Sequence, residues 1–432
     1  MKNKYIILGV FLLLIGINLI NAEELLWNNS YDYASGTDQA YSIAVDKFGN
    51  SYVAGYGDDG NYSWDILVLK YDTDGNLLWN NSYDYASDFD FAEDIAVDKF
   101  GNSYILGYGV KDYDSDLLII KYDTDGNLLW NNSYDYALSS DYSKAIALDK
   151  LGNVYVTGYG AGGTYWDMLI LKYDTDGNLL WNNSYDYDHD ADYPEAIAVD
   201  KFGNSYVAGY GVTGYMCDIL VLKYDTDGNL LWNNSYDCAS SNEGAFSIAL
   251  DKFGNAYVTG YGDTGNNSWD ILTLKYDKDG NLLWNNSYDY ASNDDYAGYI
   301  AVDKFGNSYI LGYGYGEYTS DILIIKYDKD GNLLWNNSYD YASNDDSAFS
   351  IALDKFGNVY IAGYGDAGGY SWDMLILKYD TGGNLLWNDS YDYASGGDIA
   401  YAIALDKFRS VYVTGYGDAG DYSWDILILK YG

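Results

Sequence analysis

Few residues in this sequence are suited to catalysis. Its one histidine, His189, cannot be joined to a serine or a cysteine by any spacing argument, so the Ser-His-Asp and Cys-His constellations of hydrolases are not predicted. No glycine-rich loop opens a predicted helix, which leaves no cradle for phosphate. The sequence therefore predicts a protein without catalytic residues, in which carboxylates and aromatic side chains are the groups able to recognise a ligand.

An acidic residue recurs every 51 or 52 residues, each time before a β-like run. The eight members are Asp38, Asp90, Asp141, Asp192, Glu243, Asp295, Asp346 and Asp398. If these runs surround a common axis, the carboxylates form a ring that could hold a cation such as calcium or attract a basic partner. The other interpretation is that each carboxylate accepts backbone hydrogen bonds at the start of its strand.

A second acidic feature surrounds the histidine. Asp188, Asp190 and Asp192 alternate with other residues in one predicted loop, and alternating loop carboxylates are able to hold a calcium ion. The alternative is a solvated loop that binds no metal.

The spacing of the acids belongs to a repeat that covers the whole chain after its first residues. The motif Leu-Leu-Trp-Asn recurs with its tryptophan at Trp27, Trp79, Trp130, Trp181, Trp232, Trp284, Trp335 and Trp387. Residues 25–432 amount to eight units of 51 residues, with no linker between them. A period near 50 is typical of propeller blades, so we predict a single domain over residues 25–432.

Each unit contains four β-like runs, A to D, seen first in residues 42–46, 51–56, 65–71 and 77–85. The turns between A and B and between C and D begin with Asp and place Gly where a left-handed residue is needed, as in tight hairpins. The predicted fold is therefore all-β, an eight-bladed β-propeller of four-stranded antiparallel blades.

The order of the runs at the chain ends predicts how the ring closes. The chain after its leader begins with a D-type run, residues 25–33, and ends with a C-type run, residues 425–431. Pairing the N-terminal strand with the last blade completes that blade and covers two exposed sheet edges.

The repeat resembles a known family. The segment from Lys70 to Trp79, followed by Ile95-Ala-Val-Asp98 and the Gly101-Asn-Ser-Tyr run, is similar to the SBBP β-propeller repeats of exported proteins. The resemblance implies that strand A lies nearest the axis and that the module is surface-associated and generally non-catalytic. The number of blades departs from the family pattern, because the family is named for seven and this chain has eight units.

Residues that interrupt the repeat are the better candidates for a site on the axis, because an axial site is used once. They are His189, Pro194, Cys217, Cys238, Lys111, Lys144, Arg409 and a few glutamates. By the same rule Lys47, Lys70 and Asp65, which have equivalents in every unit, are predicted to join neighbouring blades.

The two cysteines stand where other units have aromatic residues. Cys217 takes the place of Trp64, and Cys238 that of Tyr85, so a C-to-D hairpin brings them almost opposite each other. In an oxidising compartment this arrangement favours a Cys217–Cys238 disulfide. Two unrelated buried thiols are the alternative.

Asn-x-Ser motifs recur on every D strand, where packing is the expected role of the asparagine. Glycan acceptors normally lie in accessible loops, and Asn61 and Asn266 begin such motifs in predicted loops. These two residues are the candidate glycosylation sites.

The N-terminus and the charge bear on where the protein works. Residues 1–22 combine lysines with an apolar run and small residues, which predicts a secretory signal; the alternative is an uncleaved short anchor. No later segment reaches membrane-spanning length. A net charge of −42 makes nucleic acid an unexpected partner.

The functional hypotheses follow from the two faces of the predicted ring. The A-to-B and C-to-D hairpins lie on one face and are uniform, whereas the B-to-C and D-to-A connections lie on the other and vary. Variable loops on a rigid scaffold usually carry binding. We expect a secreted or cell-surface recognition module for a protein or glycan, with a quinoprotein-like enzyme or a structural surface-layer or adhesive protein as alternatives.

Overall fold

The computed structural model describes residues 23–432 except 61–62, 87, 138, 215, 239–241, 266–267, 317–318, 343, 367, 369–370, 395 and 421–422. The predicted signal, residues 1–22, and the candidate glycosylation sites Asn61 and Asn266 lie outside the described residues. The regular structure described is all β-strand. Across these described stretches there is no helix with the length and apolarity to cross a membrane.

Thirty-two strands make up the described fold. In chain order they are β1 Leu25–Tyr31, β2 Asp38–Val45, β3 Ser51–Asp58, β4 Trp64–Tyr71, β5 Leu77–Tyr83, β6 Asp90–Val97, β7 Ser103–Lys111, β8 Asp114–Tyr122, β9 Leu128–Tyr134, β10 Asp141–Leu148, β11 Val154–Gly160, β12 Asp167–Tyr173, β13 Leu179–Tyr185, β14 Asp192–Val199, β15 Ser205–Thr213, β16 Met216–Tyr224, β17 Leu230–Tyr236, β18 Glu243–Leu250, β19 Ala256–Asp263, β20 Trp269–Tyr276, β21 Leu282–Tyr288, β22 Asp295–Val302, β23 Ser308–Tyr315, β24 Ser320–Tyr327, β25 Leu333–Tyr339, β26 Asp346–Leu353, β27 Val359–Asp366, β28 Trp372–Tyr379, β29 Leu385–Tyr391, β30 Asp398–Leu405, β31 Val411–Asp418 and β32 Trp424–Tyr431.

The strands form eight four-stranded antiparallel sheets, which are the blades of the predicted propeller. Blade 1 is β2 to β5, and each following set of four strands is the next blade up to blade 7, β26 to β29. The first strands of neighbouring blades contact one another all the way round, from β2 to β6 and finally from β30 back to β2. Strand A is therefore the innermost strand of each blade, as the family resemblance implied.

Blade 8 closes the ring as predicted. Its sheet runs β30, β31, β32 and then β1, with Asn28 opposite Leu429 in an antiparallel pair. The backbones of Glu24 and Gly432 exchange hydrogen bonds of 3.2 and 3.1 Å beyond the ends of the strands. The N-terminal strand thus supplies the outer strand that the C-terminal blade lacks.

Strand A is longer than the sequence pattern indicated. The first A strand begins at Asp38 rather than Ser42, because a bulge between Ala40 and Ser42 breaks the alternation of buried and exposed positions on which the prediction relied. An extra residue in one strand leaves its side chain out of the pairing and redirects it. The same bulge occurs in the A strand of all eight blades.

The hairpins have the predicted turn chemistry. Oδ1 of Asp46 accepts the amides of Phe48 and Asn50, and Asn50 Nδ2 donates to Oδ2 at 2.7 Å. Gly49 adopts a φ of 94°, which a side chain would strain. Arg409 takes the equivalent place in blade 8 with a φ of 80°, so this hairpin departs from the glycine pattern.

Repeated side chains join each blade to the next, as predicted for residues present in every unit. Lys70 Nζ donates to the Thr124 carbonyl at 2.6 Å, and Trp79 Nε1 donates to the same carbonyl at 3.2 Å. Buried Tyr52 donates its hydroxyl to the Gly101 carbonyl at 2.9 Å. These contacts lie on the hairpin side and hold the blades in register around the axis.

Candidate functional site

The eight recurring acids lie inside the blade junctions rather than at an open rim. Each of these side chains is fully buried. In the first junction Asp38 accepts the backbone amide of Tyr33, and the same contact recurs wherever the acid is an aspartate. Gly57 faces Asp38 across the sheet, and a Cβ there would lie only 2.4 Å from Oδ1. This geometry matches the hydrogen-bond interpretation, whereas cation binding by the ring stays a prediction.

Burial changes how these acids titrate. It raises the pKa of the seven aspartates to about 7 and that of Glu243 to about 8, although backbone amides act in the opposite direction. Neighbouring carboxylates such as Asp84 and Asp65 beside Asp90 raise the pKa further. Each junction therefore carries a carboxyl group that titrates near neutral pH, because the charged carboxylate is poorly solvated there.

The residues at the A-strand bulges differ strongly from blade to blade. From blade 1 to blade 8 they are Tyr41, Glu93, Lys144, Glu195, Phe246, Gly298, Phe349 and Tyr401. Several of them contact the equivalent residue of the adjacent blade, as Tyr41 does with Tyr401 at a ring-centroid distance of 5.0 Å. Since strand A is innermost, this set lines the axial channel, and we name it the bulge ring.

Blades 2 to 4 form a charged half of the bulge ring. Lys144 Nζ makes an ion pair with Glu195 Oε2 at 2.9 Å, and both side chains are largely covered. Burial raises the pKa of Glu93, and the charge of Lys144 acts against it. Burial and the charge of Glu93 also raise the pKa of Tyr108. The glutamates of this half thus lie close to tyrosines.

Blades 7, 8 and 1 form an aromatic half of the bulge ring. Phe349 stacks on Tyr401 with ring centroids 4.7 Å apart, and Tyr401 meets Tyr41 edge-on. Tyr299 lies next to the bulge of blade 6. Burial raises the pKa of Tyr299, and the nearby phenol of Tyr401 adds to this effect. One channel therefore presents charged groups on one side and aromatic rings on the other.

A belt of aromatic side chains continues outward from the bulge ring. Tyr56 of strand B stacks on Trp64 at 5.0 Å and meets Phe91 of the next blade at 5.0 Å. Its members are Tyr56, Trp64, Phe91, Tyr108, Tyr142, Tyr159, Trp166, Tyr193, Tyr210, Tyr261, Trp269, Tyr296, Tyr313, Tyr364, Trp372, Tyr416 and Trp424. We name this set the aromatic belt, and nearly all of it is half-buried. Gln39, Gly244, Ser347 and Ile399 take the place of an aromatic residue at four junctions.

The predicted calcium loop is not assembled. Asp192 turns into its junction and accepts the Tyr187 amide, while Asp190 accepts the amide of Ala191. His189 Nδ1 lies 2.8 Å from Asp186 Oδ2 in the loop between β13 and β14. Because Asp192 belongs to the buried acids, Asp188, Asp190 and Asp192 do not converge, and the prediction is corrected in this respect.

The predicted disulfide is absent from the structure, which has Cys217 and Cys238 as free thiols. The two thiols have different neighbours. Cys217 lies beside Tyr193 and Tyr210; burial is the main reason why the pKa of each tyrosine is raised, and Cys217 adds to it. Cys238 forms a hydrogen bond with Tyr236 and packs against the core of blade 5. Facing backbone positions are thus not sufficient for a bond when the side chains point to separate partners.

The hairpin face has a contrasting and uniform feature. At the A-to-B turns a ring of apolar side chains is exposed, from 56% for Phe356 to 74% for Leu151. The members are Phe48, Phe100, Leu151, Phe202, Phe253, Phe305, Phe356 and Phe408, and we name them the phenylalanine ring. The lysine before each phenylalanine lies about 5 Å from its ring, as Lys47 does at 4.9 Å from the centroid of Phe48.

Sequence reasoning found Lys144 as an interruption of the repeat but did not assemble the bulge ring. The bulge position varies among charged, aromatic and glycine residues, but the positions two before it and one after it vary as well, so the sequence does not single it out. What hid it was the bulge, which has no sequence signature of its own and decides which A-strand side chain points to the axis.

Comparison with known proteins agrees with this architecture. The profile described as a β-propeller repeat, SBBP, matches residues 28–63, 136–163, 188–211 and 341–371. An uncharacterized WD repeat-containing protein of Acanthamoeba polyphaga mimivirus is 23% identical over 461 residues, covering 81% of this chain and 31% of the relative. The chain therefore spans about a third of that protein's length.

Among solved structures, Sqt1 from Chaetomium thermophilum superposes with a TM-score of 0.60 at 12% identity, covering 94% of this chain and 98% of Sqt1. At this identity the likeness concerns the fold alone. Virginiamycin B lyase from Staphylococcus aureus gives a TM-score of 0.47 at 11% identity, covering 78% of this chain and 95% of the lyase. The profile matches thus identify SBBP-type β-propeller repeats in four stretches of the chain.

Proposed function

We propose that the protein is a secreted or cell-surface recognition module that binds a protein or glycan ligand at the channel mouth on its connection face. The observation that supports this most is the bulge ring. In a chain whose units are otherwise nearly identical, the side chains facing the axis range from Lys144 and Glu195 to Phe349 and Gly298. An asymmetric lining suits a ligand bound once per molecule.

The chemistry of the lining favours a ligand with both polar and apolar surfaces. Half-exposed tyrosines and tryptophans offer flat apolar surface at a small entropic cost, together with a polar tip. The apolar faces of sugar rings and the side chains of peptides can both stack on such rings. The ion pair of Lys144 and Glu195 supplies charge-assisted hydrogen bonding beside them.

The loops around the mouth extend the same surface. In blade 2 the connection between β7 and β8 turns at Asp112 and Tyr113, both with positive φ, and the side chain of Tyr113 is 99% exposed. An aromatic side chain held in solvent by a tight turn near Lys111 is suited to contact a ligand above the channel. Other blades carry different loops at this position.

Export and the absence of catalysis are part of the proposal. The basic and apolar composition of residues 1–22 supports export, and the charge of −42 argues against nucleic acid as a partner. The ammonium group of Lys144 is engaged by a carboxylate, which supports a role in holding a ligand rather than in forming a covalent intermediate.

The proposal is tested by screening the purified mature chain on a glycan array and on a panel of immobilised peptides of varied charge. A matched variant, Tyr401→Ala, removes one ring of the aromatic half, and its unfolding curve checks that the loss of the contacts with Tyr41 and Phe349 leaves the fold intact. We expect saturable binding by the wild type that weakens in the variant. Binding that is equal in both proteins, or no binding to either panel, would count against the channel as the site.

The phenylalanine ring favours a second candidate, an adhesive or structural role. Eight exposed apolar groups on one face, seven phenylalanines such as Phe100 and Phe202 and one leucine, could hold a repeated or flat surface through many weak contacts. Changing Phe100 and Phe202 to Ser should then reduce adsorption to apolar surfaces. The same change should leave binding at the channel mouth as it was.

A further inference from the structure

Three acids meet at every blade junction, and one junction differs from the other seven. Between blades 4 and 5 they are Asp218 on strand C, Asp237 after strand D and Glu243 at the start of the next strand A. Elsewhere the third acid is an aspartate, as in the set of Asp65, Asp84 and Asp90. The longer side chain of Glu243 is therefore a natural single-site variation within a repeated structure.

The extra methylene group changes what the buried carboxylate contacts. Each aspartate accepts a backbone amide through one oxygen, but neither oxygen of Glu243 has a hydrogen-bond partner although the side chain is fully buried. The amide of Cys238 is close enough to lower the pKa of Glu243 without making a regular hydrogen bond. Leaving both oxygens of a buried carboxylate unsatisfied is costly, which indicates that something else satisfies them.

The carboxylates of this junction also come together. One oxygen from each of Asp218, Asp237 and Glu243 lies within 4.8 Å of the other two, and within the described parts of the chain no other three acidic, histidine or cysteine residues do so. Two oxygens that bind one calcium ion at about 2.4 Å can be separated by at most about 4.8 Å. The spacing of the trio therefore fits a shared cation.

The surroundings of the trio allow access and supply further oxygen. Burial falls from Glu243, which is enclosed, through Asp218, which is half-buried, to Asp237, which is exposed. In the other junctions a tyrosine closes this region by donating to the next strand C, as Tyr290 donates to Asp321. Here Cys238 stands in the tyrosine's place with a smaller side chain, and Asp218 still accepts the Tyr187 hydroxyl at 2.8 Å, which places a further oxygen beside the trio.

We propose that the junction between blades 4 and 5 binds one divalent cation of the calcium type through Asp218, Asp237 and Glu243. Three carboxylates supply hard oxygen ligands, and the remaining positions of a six- to eight-coordinate ion are filled by water and backbone oxygens. Burial and the charges of Asp237 and Asp218 raise the pKa of Glu243, and a bound cation relieves that repulsion. The site is separate from the channel mouth and does not depend on the function proposed there.

In the experiment the metal-free mature protein is titrated with calcium chloride at constant ionic strength. Binding is measured by calorimetry, and stability is measured as the melting temperature. The wild type should bind one calcium ion per chain with a dissociation constant on the order of 10⁻⁴–10⁻³ M, the range of extracellular modules. The melting temperature should rise with the logarithm of free calcium once the site fills.

The decisive variant is Glu243→Asp, which keeps the charge and gives this junction the residue found in the other seven. It should fold like the wild type and lose calcium affinity by roughly tenfold or more. Asp237→Asn, at an exposed position, should do the same, whereas Asp289→Asn at the next junction should have no effect. Absence of saturable calcium binding by the wild type, or equal binding by Glu243→Asp, would overturn the proposal, as would binding of zinc without any response to calcium.

Discussion

The two faces of this propeller are built from the same repeat but differ in what they vary. On the hairpin face the turns are nearly uniform, and each presents an exposed apolar side chain, which is a phenylalanine such as Phe100 in seven blades and Leu151 in the other. On the connection face the bulge ring changes from Tyr41 to Glu93 to Lys144 within three blades. The contrast indicates that the hairpin side holds the ring together through contacts that repeat in every blade, and that variation accumulates among the side chains that face the axis.

Ring closure carries the largest expected effect, because every other feature depends on it. Deleting residues 25–33 removes β1 and leaves the edge of β32 exposed. We expect aggregation or loss of the single cooperative unfolding transition, measured by calorimetry and by light scattering. A truncated chain that unfolds with unchanged cooperativity and melting temperature would show that the pairing of β1 with β32 is dispensable.

A matched pair of lysines tests the division between the faces. Lys121 is buried on the hairpin side and donates to the Thr175 carbonyl at 2.7 Å, whereas Lys144 lines the channel. Lys121→Met removes this hydrogen bond between blades and leaves the Thr175 carbonyl with the indole of Trp130 as its donor, so it should lower the free energy of unfolding by about 1–3 kcal/mol. Lys144→Met should cost clearly less, by denaturant unfolding, while altering ligand binding. The reverse order would contradict the contrast.

The two faces should also respond oppositely to pH. The acids of the connection side, such as Asp90, have a pKa raised to about 7 by burial. The folded state therefore holds protons that the unfolded chain releases from about pH 4 upward, and stability should fall as the pH rises through 7. On the hairpin side burial acts to raise the pKa of Asp72, but hydrogen bonds from Asn76 and the turn amides hold it below its ordinary value. Stability from that side is present above about pH 4 and is lost on further acidification.

Together these groups predict a melting temperature that is highest near pH 4–5 and several degrees lower at pH 8, since one pKa unit is worth about 1.4 kcal/mol and the group recurs eight times. Asp90→Asn should flatten the dependence above pH 5, whereas Asp74→Asn, which removes an exposed charge, should change it less. A melting temperature that rises steadily from pH 5 to pH 8 would show that the buried acids are ionised at little cost.

The smallest expected effect concerns the two thiols. If Cys217 and Cys238 are free, a reducing agent should leave the melting temperature unchanged, and labelling of the unfolded, unreduced protein should find two thiols per chain. A disulfide closing this hairpin would instead contribute about 3 kcal/mol. A drop in melting temperature on reduction would therefore show that the disulfide predicted from the sequence does form.

Much of the fold was predictable, because it depends on features that repeat in the sequence. The period gave the number of blades, and the phase of the runs at residues 25–33 and 425–431 gave the closure. The turn residues Asp46 and Gly49 gave the hairpins. Local chemistry and repetition are enough for these features because each blade makes the same contacts as its neighbours.

The candidate site was less predictable, because it depends on where individual side chains point. The eight acids were found in the sequence, but their burial follows from glycines such as Gly57 that open space across the sheet. The bulge ring required knowledge of a backbone irregularity. The acid trio at Glu243 depends on one methylene group and on the loss of a tyrosine at Cys238; the repeat shows both substitutions but not that the three carboxylates come together.

The central claim is that the channel mouth, and not the phenylalanine ring, is where the protein recognises its ligand. The most direct test measures the affinity of the strongest array ligand for Phe349→Ala/Tyr401→Ala and for Phe100→Ser/Phe202→Ser, with unfolding curves as a control for folding. Each lost stacking contact is worth about 0.5–1.5 kcal/mol beyond its buried area, so the channel variant should bind at least about tenfold more weakly. The hairpin-face variant should bind like the wild type. Loss of affinity in the hairpin-face variant with full affinity in the channel variant would contradict the account.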